Sequence, residues 1–359
     1  MVVGQSNMEK FNKFIKIGNI KIGPGHKAFI IAEAGVNHNG NFKMAKKLIS
    51  IASKSGADAI KFQTFNPETL IIKNAPKAKY QSKNIGKESH YQMLKKLMLP
   101  RSWHRKLKKY AEDKGLFFLS TPFSLDDAFF LKSIKVKAIK VGSSDANNIP
   151  YLSKMAEWQL PVILSTGMQD LNSVAESIEA IRKTGNNKLV VLQCTTSYPC
   201  PFDQANIRAM VTLGNKNDVL FGYSDHTLGI EAAVAAVSLG ACVIEKHFTL
   251  DRNLPGPDHK ASLEPDELKR LVEAIRNIEQ ALGSGEKTLT FNEKTIIKAA
   301  AKSVVATKDI KKGDLFSEKN IGVKRPGNGL PPKYFNLILG KKSTKYIKKD
   351  TLIKKAHYV

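Results

Sequence analysis

Residues 29 to 283 hold eight short apolar runs that end in polar or small residues, and amphipathic helical stretches separate most of them. The runs are Phe29–Glu33, Ala57–Thr64, Leu116–Thr121, Ala138–Gly142, Pro161–Gly167, Leu189–Cys194, Val219–Ser224 and Ala241–His247. The helical patterns cover Asn41–Ser55, Trp103–Lys114, Asp126–Ser133, Leu171–Thr184, Glu231–Leu239 and Pro265–Leu282. Near-continuous apolar strands alternating with helices read as parallel β/α units. Eight such units in roughly 255 residues point to an α/β fold of the (β/α)8 TIM-barrel type. No GxGxxG follows a strand, which disfavours a doubly wound dinucleotide-binding sheet. The long Lys-rich stretch Asn66–Leu99 reads as a loop over one barrel face.

The texture changes after the last helix. Residues 284–302 read as a linker with one helical turn. From Ser303, short β-like runs alternate with Lys-Gly and Lys-Lys-Asp turns, and Arg325-Pro-Gly-Asn-Gly329 forms a loop. The expected organisation is a catalytic barrel over 1–283, the linker, and a small domain over 303–359. So small a domain buries little core and is expected to lean on something else.

Composition narrows the function classes. Apolar residues make up 42% and charged residues 25%, which supports a sizeable core and excludes global disorder. The 57 Lys and Arg against 32 Asp and Glu give a net charge of +25, which attracts anionic partners. The excess is mostly Lys spread along the chain, without a nucleic-acid-binding motif, so no nucleic-acid partner is expected. No stretch is apolar enough to span a membrane, and the basic N-terminus lacks a signal peptide's apolar core. Cys194, Cys200 and Cys242 form no CxxC pair and read as reduced thiols, which suits the cytoplasm.

The ends of the eight runs are unusually polar for a barrel. Glu33, Lys61 with Gln63, Lys140 with Ser143, Ser224 and Glu245 stand where Val, Ile and Leu usually fill the interior. A charge buried there must be paired or functional. The two lysines and two glutamates either neutralise one another or form an anion cradle with the hydroxyls. His226 and His247 end adjacent strands and could face one divalent ion, or could be hydrogen-bonded core histidines. Glu33 and Glu245 are candidates for acid/base work or for holding hydroxyls. Asp258 could do either, or cap a helix near Leu263.

Several segments resemble the bacterial sialic acid synthase family: Ile31–Gly40 (IAEAGVNHNG), Lys61–Phe65 (KFQTF), Ser120–Phe123, Ser165–Met168, Gly222–Thr227 (GYSDHT), Glu245–Phe248 (EKHF) and Gly256–Lys260. Lys324–Gly329 (KRPGNG) matches that family's C-terminal antifreeze-like (SAF) domain. The resemblance spans nearly the whole chain in order. It implies a TIM barrel followed by that domain in a domain-swapped homodimer. It also implies condensation of phosphoenolpyruvate with an N-acylated mannosamine-type sugar, giving a nine-carbon 2-keto acid and phosphate, with Mn²⁺ or Mg²⁺ required.

Carried over by resemblance, His226 and His247 hold the metal and Glu33 manages a proton. Lys61, Lys140, Ser143, Thr196 and Ser224 bind phosphoenolpyruvate. Gln63, Tyr198, Glu245 and Asp258 contact the sugar, joined by Arg325 of the other subunit. Thr196 stands where several N-acetylneuraminate synthases have Asn. The KFQTF form, with Cys194–Pro199 (CTTSYP) and Pro257–Pro265, looks more like synthases of N,N'-diacetyllegionaminic acid than of N-acetylneuraminate or pseudaminic acid. The competing readings are another phosphoenolpyruvate-dependent keto-deoxy-sugar synthase and a non-enzymatic anion-binding protein.

Overall fold

The computed structural model describes residues 10–359, apart from the side chains of residues 79, 83 and 85. Most of the N-terminal stretch read above as basic and free of an apolar core, residues 1–9, lies outside them. The chain divides into two compact units, one running through Gly283 and the other Ser284–Val359.

In the first unit a short hairpin, β1 (Ile15–Ile17) and β2 (Ile20–Ile22), precedes eight strands. These are β3 (Phe29–Gly35), β4 (Ala59–Thr64), β5 (Phe117–Pro122), β6 (Ile139–Val141), β7 (Val162–Ser165), β8 (Leu189–Cys194), β9 (Leu220–Asp225) and β10 (Val243–His247). They form one sheet in the order β5-β4-β3-β10-β9-β8-β7-β6, parallel throughout. The sheet curls into a nearly closed (β/α)8 barrel. Across the last seam, between β5 and β6, the Tyr151 hydroxyl donates to the Pro122 carbonyl at 2.7 Å. Each strand falls within two residues of its sequence reading.

Side-chain alternation sorts every strand into an inside and an outside. Outward residues such as Ile30, Ile60, Phe62 and Ile244 pack under Leu48, Ile49, Leu268 and Leu271 of the surrounding helices. Inward residues near the strand starts form a separate apolar layer of Phe29, Ala59, Leu119, Ile163, Val190 and Val243. The hairpin isoleucines Ile15, Ile17 and Ile22 join this layer and close the N-terminal end. Each such side chain contributes about 1.5–3 kcal/mol by leaving water. The hairpin turn needs Gly18 at φ 59°, because a Cβ there would lie 2.4 Å from the Phe117 ring.

Four features depart from the sequence reading. The hairpin was not anticipated. The stretch 66–99 is not a plain loop: it holds helices at Pro67–Leu70, Lys79–Ile85 and His90–Leu97, the last capped reciprocally by Ser89 and Gln92. Helices Ile149–Ala156 and Arg208–Asn217 complete the units after β6 and β8. Residues 284–302 are more than a linker with one turn, since Phe291–Ala300 is a ten-residue helix opened by the Thr290–Glu293 capping box.

The second unit also contains the antiparallel pair β11 (Ser303–Ala306) and β12 (Ile321–Lys324). Val304, Ile310, Phe316, Ile321, Ile338, Ile347 and Ile353 form its core. No helix among the described residues is long and apolar enough to cross a membrane.

Candidate active site

The parity that puts Phe29 and Ile31 inside the barrel also puts Glu33 inside. The same rule carries Ala59 to Lys61 and Gln63, Leu119 to Thr121, Ile163 to Ser165, and Val243 to Glu245 and His247. Each interior therefore turns from apolar to polar toward the C-terminal strand ends. There it opens into a cavity of about 460 Å³. All twelve barrel residues expected at the site line it: Glu33, Lys61, Gln63, Lys140, Ser143, Thr196, Tyr198, Ser224, His226, Glu245, His247 and Asp258. Arg325 belongs to the second unit, where it is exposed in the loop after β12.

Two lysines converge on one carboxylate. Lys61 Nζ and Lys140 Nζ each lie 3.6 Å from Glu245 Oε1, which also accepts from the Ser224 hydroxyl at 3.2 Å. Lys61 further pairs with Glu33 Oε2 at 2.9 Å and donates to Thr121 Oγ1 at 3.1 Å. Lys140 donates to Ser165 Oγ at 2.7 Å and to its neighbour's carbonyl at 3.1 Å. Glu245, a sugar contact by resemblance, thus sits inside the cationic cluster, as the neutralising reading of the two lysines and two glutamates expects. All four charges are buried. Burial works against the Glu245 carboxylate, but Lys140 and Lys61 outweigh it and hold its pKa below the usual range. For Glu33 burial dominates over Lys61, and Glu245 adds repulsion, so its carboxyl is pushed up to about 7. One carboxyl is kept ionised while its neighbour titrates near neutrality, a pairing suited to proton transfer.

The two imidazoles are neighbours, with ring centroids 5.4 Å apart at 57°. His226 Nδ1 lies 2.8 Å from the Thr195 carbonyl. A carbonyl only accepts, so Nδ1 carries a proton; burial works against a charged ring, but the nearby Cys194 outweighs it and raises the His226 pKa. His247 Nδ1 is buried with no hydrogen-bond partner among the described residues. Burial and the nearby His226 and Lys61 push His247 well below the ordinary imidazole range, leaving it neutral. Adjacent imidazoles, each able to offer one unprotonated ring nitrogen, suit a divalent ion such as Mn²⁺. Among the described residues no group of three or more His, Cys, Asp or Glu is arranged to hold a metal.

Around this centre the cavity wall changes character. Val36, Phe65, Met93, Leu94 and Leu97 form a small apolar cluster on one side. Tyr198 stacks 4.1 Å from His226 and stands edge-on to His247 at 5.7 Å. Asp258 makes no side-chain cap, and burial raises its carboxyl to about 6 against the pull of His226.

The site also includes residues not nominated from sequence. Cys194 Sγ lies 3.8 Å from His226 Nδ1 and 3.6 Å from the Ser143 hydroxyl. Its inward parity with Val190 and Leu192 was the available signal. Tyr80, from the segment after β4, stacks on Tyr198 at 5.2 Å, and nothing in the local sequence marks it. Strand-end hydroxyls of opposite parity face away: Ser120 bonds Thr64 at 2.7 Å, and Thr64 bonds the buried His104 at 2.8 Å.

The chain resembles known proteins along nearly its whole length. It is 48% identical over 331 residues to the N,N'-diacetyllegionaminic acid synthase of Campylobacter jejuni, covering 91% of this chain and 99% of that one. The enzyme of the same name from Legionella pneumophila is 45% identical, covering 90% and 93%. A solved N-acetylneuraminic acid (sialic acid) synthetase from Leptospira borgpetersenii, in complex with citrate, superposes with a TM-score of 0.70 at 35% identity, covering 80% of this chain and 96% of that one. An SAF domain model matches residues 301–359 and the NeuB family model matches residues 48–287. With its barrel, its SAF domain and this similarity to sialic-acid-type synthases, the chain belongs to the NeuB family.

Proposed function

We propose that this protein joins phosphoenolpyruvate to the open-chain aldehyde of an N-acylated mannosamine-type sugar, releasing phosphate and a nine-carbon 2-keto acid. The acceptor proposed is 2,4-diacetamido-2,4,6-trideoxymannose and the product N,N'-diacetyllegionaminate. The observation that carries this reading is the convergence of Lys61 and Lys140 on Glu245, beside two imidazoles in one cavity. The two relatives of that name and the apolar wall support the deoxy, diacylated acceptor over a more hydroxylated one.

In the reaction C3 of phosphoenolpyruvate bonds to C1 of the sugar, whose aldehyde oxygen takes a proton. Water adds at C2 and gives up a proton. The C2–O bond to phosphorus' oxygen then breaks, so phosphate leaves with that oxygen and the ketone keeps the oxygen from water. Lys61 and Lys140 hold the donor's negative charge, helped by hydroxyls of Ser143, Thr196 and Ser224. Glu33, with its carboxyl near 7, accepts the proton from water. Tyr198, Gln63, Glu245 and Asp258 orient the sugar. His226 and His247 would hold a divalent metal, which as a Lewis acid polarises a carbonyl. Arg325, exposed in the second unit, reaches the acyl amide from a second copy of the chain in a homodimer.

The test is phosphate release and product mass with phosphoenolpyruvate plus either the 2,4-diacetamido-6-deoxy sugar or N-acetylmannosamine. The expected result is faster turnover of the former to a legionaminate-type product. Turnover only with phosphorylated aldoses would reject the proposal.

A further inference from the structure

Behind the two histidines, on the face of the sheet turned away from the cavity, lies a second pair of charges. β9 and β10 run in register with Glu245 beside Ser224 and Lys246 beside Asp225. Ser224, Glu245 and His247 face the cavity, so Asp225 and Lys246 face outward under the helices. Lys246 Nζ sits 2.7 Å from Asp225 Oδ2 and 2.5 Å from the Thr227 carbonyl. The other oxygen, Asp225 Oδ1, accepts from Thr227 N and from Thr227 Oγ1, both at 2.8 Å. The residue before His226 thus binds the residue after it through its carboxylate, and its cationic partner immediately precedes His247. The side chains are 1% and 0% exposed.

A buried ion pair is a poor device for stability alone, since apolar residues of similar volume often serve as well or better. What this pair supplies is a fixed offset between two strand ends. The remaining freedom of the His226 ring is removed from the other side by the Thr195 carbonyl. We infer that the Lys246–Asp225 pair is a positioning device that sets the spacing of His226 and His247, and through it the grip of the two imidazoles on one divalent cation. Neither residue lines the cavity. The inference rests on the metal-assisted reading above.

The experiment is titration of the metal-free full-length protein with Mn²⁺, with free ion followed by electron paramagnetic resonance. Partners that orient metal ligands typically change affinity about 10–100-fold when removed. Lys246→Met and Asp225→Asn are expected to raise the Mn²⁺ Kd by that factor. Lys246→Arg, which keeps charge and donors, should stay within about threefold of the parent. Because a lone buried charge can prevent folding, Asp225→Leu/Lys246→Met removes both together. It too is expected to bind Mn²⁺ at least about tenfold more weakly. A purely structural role would move the melting temperature and leave the Kd in place. Parental affinity in Lys246→Met or in the double variant overturns the inference. A parent protein that binds no Mn²⁺ overturns the metal reading itself, so the two failures are distinguishable.

Discussion

The two ends of the barrel interior are built from the same eight strands by the same alternation, yet they do opposite things. At the N-terminal end Phe29, Ile31, Leu119, Ile163, Val190 and Val243 meet Ile15, Ile17 and Ile22 of the hairpin and form an apolar layer. Two to four residues further along, the same inward positions carry Glu33, Lys61, Thr121, Ser165, Cys194 and His247 around an open cavity. One end supplies burial and the other supplies buried charge, which is expensive unless every group is matched. The apolar end anchors the frame that holds two lysines within reach of one carboxylate oxygen. Stability and chemistry are thus separated along the strand axis, and each strand contributes to both.

That division can be broken experimentally. The largest expected effect is at the polar end: His247→Ala should lower turnover by roughly a thousand-fold, the scale of losing Lewis-acid assistance. After chelation, Mn²⁺ should restore the parent and leave the variant inactive. Near-parental activity in His247→Ala would remove the imidazole pair from the chemistry.

Next comes Glu33→Gln, expected to lower kcat by about 10²–10⁴-fold, the range for one positioned proton acceptor. Burial raises the Glu33 carboxyl to about 7, and it accepts a proton only when ionised. The parental rate should therefore rise with pH through a limb centred near 7, and the variant should lack that limb. A limb unchanged in Glu33→Gln would assign it to another group, Asp258 being the next candidate.

The smallest effect on activity belongs to the apolar end. Ile17→Ala should reduce stability by about 2–5 kcal/mol, read by denaturant or thermal unfolding. Its kcat at a temperature where it remains folded should stay within about twofold of the parent. A kcat loss comparable to that of His247→Ala would show that the two layers are not separable.

The barrel was legible because its strands are buried on both faces and stand out as continuous apolar runs. Leu189–Cys194 is bounded in the structure as it reads in the sequence. Parity was the harder signal. Ser120 with Thr121 and Ser165 with Thr166 are adjacent hydroxyls at strand ends, but only Thr121 and Ser165 bond the lysines, while Thr166 Oγ1 turns back to the Leu192 carbonyl at 2.9 Å. Lys246 escaped notice for the same reason: it lies between two cavity residues and faces the other way. The hairpin was missed because three-residue strands of alternating Ile and Lys carry little weight singly. The Lys-rich segment 66–99 hid its helices because surface charge masks the thin apolar stripe of Met93, Leu94 and Leu97. Tyr80 could not be read at all, since its place beside Tyr198 depends on how a segment far away in sequence folds back.

The isoleucine hairpin gives the molecule a consequence for traffic. With the base of the cup stoppered by Ile15, Ile17 and Ile22, the described residues leave the cavity its doorway at the opposite rim, where the strands end.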